Sequence, residues 1–108
     1  MSAPFPPSVA LARATALLSR HGFATLARNE RGDTLYLAPP DCPFRLRVSN
    51  HARSPGQRRR RSDVLTSLVL SGPRSEAQLA RMVEQAVRDL AAARARREDQ
   101  ASGAGSRR

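Results

Sequence analysis

Apolar residues recur along this chain first with a helical period, then in alternation, and finally with a helical period again. Residues 1–7, with Pro4, Pro6 and Pro7, read as an extended lead-in, because proline opposes helix and restrains the residue before it. Ser8 then stands as an N-cap for a helix carrying Val9, Leu11, Ala14, Leu17 and Leu18, and Gly22 supplies a left-handed stop. From Phe23 the period drops to two. Phe23, Thr25 and Ala27 alternate with Ala24, Leu26 and Arg28, and Asn29, Glu30, Arg31, Gly32 and Asp33 form a turn signal. A second strand, Thr34 to Ala38, carries Leu35 and Leu37 on one face and Tyr36 on the other. The segment Pro39, Pro40, Asp41, Cys42 and Pro43 is a connection. The third strand has the clearest alternation: Phe44, Leu46 and Val48 against Arg45, Arg47 and Ser49.

Residues 50–62 hold no apolar side chain larger than alanine and read as a long exposed loop. Val64, Leu65, Leu68, Val69 and Leu70 fit either a strand or the start of a helix; their composition and the Gly72-Pro73 stop favour a strand. Ser75 followed by Gln78 is a capping box, and Leu79, Met82, Val83, Ala86 and Leu90 give one apolar stripe on a helix reaching about Arg97. Residues 98–108 contain nothing that can be buried and are expected to be a disordered tail. The predicted organisation is a single α+β domain over residues 8–97. It consists of a helix, a three- to four-stranded antiparallel sheet, and a long C-terminal helix. Both helices should cover the apolar face, leaving Tyr36, Arg45 and Arg47 on an open one.

Charge sharpens this picture. The chain of 108 residues has a formal net charge of +10, and all nineteen of its basic residues are arginine. Seven lie between Pro43 and Ser62, where there is no acidic residue, ending in the run Arg58, Arg59, Arg60, Arg61. Such a cluster repels itself and points to an anionic partner. Arginine in place of lysine fits bidentate phosphate contacts, but GC-rich coding produces the same bias, so the position of the charges carries the information. The expected contact surface comprises Tyr36, Arg45, Arg47, Asn50, His51, Arg53 and Arg58 to Arg61. Its arginines would neutralise phosphates, and Tyr36 offers one stacking surface. The alternatives are an acidic protein surface as partner, or a charged edge strand beside a solvated loop.

Other chemistry is sparse. Cys42 is the only cysteine, which rules out an intrachain disulfide and suits a reducing, cytoplasmic compartment in a bacterium or a phage-infected cell. Arg13 and Arg20 interrupt the only candidate stretch for a signal peptide, and no segment has the length of a membrane span, so membrane insertion is not expected. General acid–base work needs an oriented histidine. Neither His21 nor His51 has a carboxylate neighbour in sequence. No catalytic residue, metal site or cofactor is therefore expected. The stripe of the last helix reads as a core face, with a homodimer seam as the alternative.

Residues 17–51 present Leu17-Leu18, then Gly22-Phe23, a strand, a turn with Gly32, a strand with Tyr36, and a third strand with Arg45, Arg47 and Val48 that leads to His51. This order resembles the HicA-type toxins, small proteins akin to double-stranded-RNA-binding domains. The resemblance implies an αβββα fold and a nucleic-acid surface. Those toxins carry a catalytic histidine at the start of the second strand, after a glycine and a serine; here Gly32 is followed by Asp33 and Thr34. The resemblance therefore implies binding without ribonuclease chemistry, a degenerate nuclease using His51 being the remote alternative. The leading expectation is a non-enzymatic nucleic-acid-binding module. The runner-up is a phage or mobile-element interaction or inhibitor protein that docks on an acidic or nucleic-acid-bound host complex.

Overall fold

A computed structural model describes residues 4–53, 56 and 62–106. Helix α1 (Pro7–Arg20) is followed by strands β1 (Ala24–Arg28), β2 (Thr34–Ala38), β3 (Arg45–Ser49) and β4 (Val64–Val69), then by helix α2 (Glu76–Ser106). The class is α+β. The strands form one sheet in the order β1-β2-β3-β4.

The pairing corrects one expectation: β1–β2 and β2–β3 are antiparallel, but β3–β4 is parallel, so the sheet is mixed. Residues 50–63 join the C-terminal end of β3 to the opposite end of its neighbour. A parallel connection of this kind needs a dozen or more residues, whereas a hairpin needs two to five. The length of the connection was the available signal.

α1 begins one residue before its expected cap. Pro6 is the N-cap residue, with φ −63° and ψ 162°, and Pro7 occupies the first turn; no side chain caps this end. Proline is suited to that position because its missing N–H would have no intrahelical partner. Gly22 takes φ +86° as the helix stops, a conformation that favours glycine. The capping box of α2 forms in both directions: Ser75 N–H donates to Gln78 Oε1 at 2.8 Å, and Gln78 N–H donates to Ser75 Oγ at 3.1 Å. α2 continues past the expected end at Arg97 to Ser106. Residues 98–106 contain no proline, and an Arg94–Glu98 pair one turn apart, 3.3 Å, supports the continuation.

Leu35, Leu37, Leu46, Val48, Leu68 and Leu70 make the inner face of the sheet. Against it pack Ala10, Leu11, Ala14 and Leu18 of α1, Phe23 after it, and Leu79, Val83, Ala86 and Leu90 of α2, in one continuous core. Both helices therefore lie on one face, as the alternation predicted. None of the described residues forms a helix long and apolar enough to cross a membrane.

Candidate nucleic-acid interface

The outer face is a ladder of polar rows. Strand register aligns Ala27, Tyr36, Arg47 and Ser67 across all four strands, and Thr34, Ser49 and Val69 across the last three. Parallel pairing determines what lies over these rows. The chain leaves β3 toward the outer side, where Ala52 and Arg53 wall a cavity of about 300 Å³ together with Ser67 and Val69.

Arg47 is the main consequence. The sequence placed it on an open face, yet only 2% of it is exposed. Its Nη1 donates to the His51 carbonyl at 2.9 Å and to Ser67 Oγ at 3.1 Å, and the guanidinium also bonds the Tyr36 side chain. Burial pushes its pKa down, offset in part by Tyr36 and by the charge of Asp33, while neighbouring Arg53 lowers it further. A buried charge persists only where its donors are satisfied, and here the acceptors are neutral groups from β2, β4 and the start of the connection. Arg47 thus braces the outer face from beneath.

His51 is exposed, and its Nδ1 lies 2.9 Å from Asn50 Oδ1 and 3.2 Å from Ser49 Oγ. A proton on Nδ1 can be donated to the Asn50 oxygen. Ser49 is fully buried and shares a 2.7 Å hydrogen bond with Thr34, also buried. Thr34 N–H in turn donates to Asn29 Oδ1 at 3.0 Å, and Asn29 Nδ2 donates to Asp33. The Asn29 bond holds the Asp33 carboxyl below its ordinary value, helped by the charges of His51 and Arg31 and opposed by partial desolvation. The β1–β2 turn and the end of β3 are thereby tied into one polar unit.

Arg53 is half-buried, and its Nη1 is shielded from solvent without a hydrogen-bond partner among the described residues. Arg45 lies at the other end of β3, its Nε 3.1 Å from Asp63 Oδ2 and its N–H bonded to the Asp63 carbonyl at 2.8 Å. That end is also held by α2: Arg97 Nη2 donates to the Ser62 carbonyl at 3.2 Å, and its guanidinium sits 5.5 Å above the Phe44 ring. Arg58 to Arg61 lie outside the described residues.

Of the residues singled out from sequence, Tyr36, Arg47, Asn50, His51 and Arg53 come together on and beside the outer face; Arg45 does not join them. Ser67 was missed. Its role depends on the parallel register, which places it beside Arg47, and a polar residue in a half-apolar strand carried no signal of that. No protein family, curated protein or solved structure matches this chain.

Proposed function

We propose that this protein is a non-enzymatic nucleic-acid-binding module that contacts the phosphate backbone through the arginine-rich connection between β3 and β4. The observation that carries this reading is the anchoring of that connection. His51 at its start is held by Arg47, and Ser62 at its end is held by Arg97. Between these fixed points the sequence supplies Arg58 to Arg61 and no acidic residue. Cations displayed on a braced base suit sequence-independent contact with phosphates, and the region offers few amide side chains for reading base edges.

Binding of labelled duplex DNA, duplex RNA and single strands should fall steeply with salt. Replacing Arg58 to Arg61 together by serine should reduce the slope of log K against log salt by up to about 3.6 on duplex DNA, from a slope of about 0.9 per phosphate neutralised. An unchanged slope and affinity would sink the reading.

A second reading, an interaction or inhibitor protein docking on an acidic protein surface, is favoured by β1. All five residues of this edge strand are exposed, Leu26 to 50%, and an unpaired strand edge is a template for strand addition. A stoichiometric protein partner retained after nuclease treatment, together with flat salt dependence on nucleic acid, would favour it.

A further inference from the structure

The face that α2 turns toward the sheet changes character where the sheet ends. Leu79, Val83, Ala86 and Leu90 of that face belong to the core. Arg94 and Arg97 follow Leu90 by four and seven residues, the spacing of a single helix face, so leucine gives way to arginine along one line. Both arginines reach connecting chain. Arg94 is half-buried, and its Nη2 donates to the carbonyl of Asp41, between β2 and β3, at 3.4 Å. Arg97 Nη2 donates to the carbonyl of Ser62, the residue after Arg61, at 3.2 Å, while its guanidinium lies over the Phe44 ring, 5.5 Å from the centre. Phe44 is itself packed against the core. Parallel pairing is what makes this possible, because it brings the starting ends of β3 and β4, and the two connections that lead into them, to the same end of the sheet.

We propose that Arg97 is a positioning residue for nucleic-acid binding: seated on Phe44, it fixes Ser62 as the mooring point of the Arg58 to Arg61 run and does not itself contact phosphate. The proposal rests on the nucleic-acid reading above. A cationic run attached to a loose end has to be ordered when it meets a phosphate backbone, and that ordering subtracts from affinity. Holding the residue next to Arg61 in advance removes part of the cost. Arginine suits the task because its planar guanidinium can lie flat on a ring while its edge donates to a carbonyl. Arg94 gives the neighbouring connection the same kind of hold at Asp41, and its pairing with Glu98, 3.3 Å away and one turn further on, stiffens the helix there. The part of α2 beyond Leu90, which buries no leucine or valine, is thus a strut for the connections and not an extension of the core.

Two variants of the full chain separate positioning from contact. Arg97→Gln removes the guanidinium, whereas Phe44→Leu removes the ring beneath it and leaves every charge in place. In backbone amide NMR relaxation without nucleic acid, both should lower the order parameters of Ser62 and Asp63. On a labelled DNA duplex, at a temperature where both variants are fully folded, affinity should fall about three- to tenfold while the slope of log K against log salt stays at the wild-type value. A purely structural role would lower the unfolding midpoint and leave the affinity of the folded variants unchanged, which would overturn the proposal. So would a slope reduced by about 0.9 in Arg97→Gln with wild-type binding by Phe44→Leu, the signature of a direct phosphate contact. Unchanged order parameters at Ser62 and Asp63 would show that the Arg97 contact moors nothing. Duplex binding that is lost on replacing Arg58 to Arg61 but kept in both of these variants would remove the role of Arg97 and leave the nucleic-acid reading intact. A wild type that binds no duplex would remove that reading, and the order parameters would then decide the mooring on their own.

Discussion

The two faces of the sheet are buried by different means. On the inner face, Leu37, Leu46 and Val48 are wholly enclosed by two amphipathic helices, and burial of apolar area is itself the driving force. On the outer face, Arg47 and Ser49 are as deeply enclosed, yet neither gains from leaving water. They are tolerated because His51, Ser67, Tyr36 and Thr34 supply partners. Apolar burial is indifferent to which neighbour provides the surface. Polar burial depends on particular atoms at particular positions.

That contrast can be broken in order of effect. Leu46→Ala opens a cavity in the middle of the inner face and should cost about 3 kcal/mol in denaturant unfolding; a cost under about 1 kcal/mol would mean the helices do not seal this face. Methionine substitutions test the difference in kind. Leu46→Met nearly conserves volume and should cost less than about 1.5 kcal/mol. Arg47→Met fills similar space but strands the His51 carbonyl and its other partners, and should cost about 2 kcal/mol. Equal costs at the two sites would show that the outer face is held by packing alone.

The smallest effect is at the polar rim, where the Asn29 hydrogen bond lowers the pKa of Asp33 in the folded protein below its ordinary 3.8. The ionised carboxylate therefore contributes stability above that value, and the contribution is lost as pH falls through the lower folded-state value. Unfolding midpoints measured from neutral pH to well below 3.8 should fall less steeply for Asp33→Asn than for wild type. Identical acid limbs would detach Asp33 from the outer-face unit.

The inner face was legible in sequence because alternation and helical stripes record it directly. Leu35, Leu37, Leu46 and Val48 carry a period of two, Leu79, Val83, Ala86 and Leu90 carry a period near four, and Ser75 with Gln78 announced the start of α2. The outer face was not. Alternation says that Arg45 and Arg47 share a side; it does not say what covers that side. Once β4 pairs parallel to β3, the two arginines part company, one braced beneath residues 51–53 and the other paired to Asp63 at the rim. The basic segment was identifiable by charge alone, while Ser67 became visible only through a register that no local pattern encodes. At the N-terminus, the proline-rich lead-in concealed a different outcome. Pro7 starts α1, and Phe5 exchanges backbone hydrogen bonds with Arg74 at 2.7 and 3.0 Å.

That last contact has a consequence for how the molecule assembles. Phe5 is fastened to Arg74, Arg13 of the first helix pairs with Glu76 of the last, and the two helices rest on one another over the sheet. The segment that leads into α1 is thereby tied to the segment that leads into α2. The meander β1–β2–β3 can pair locally and meet α1, but its apolar face stays only partly covered until α2 arrives from some thirty residues downstream. Contacts this remote in sequence make loop closure the slow step of folding. On a ribosome, the sheet and α1 must wait, only partly sealed, for α2 to emerge.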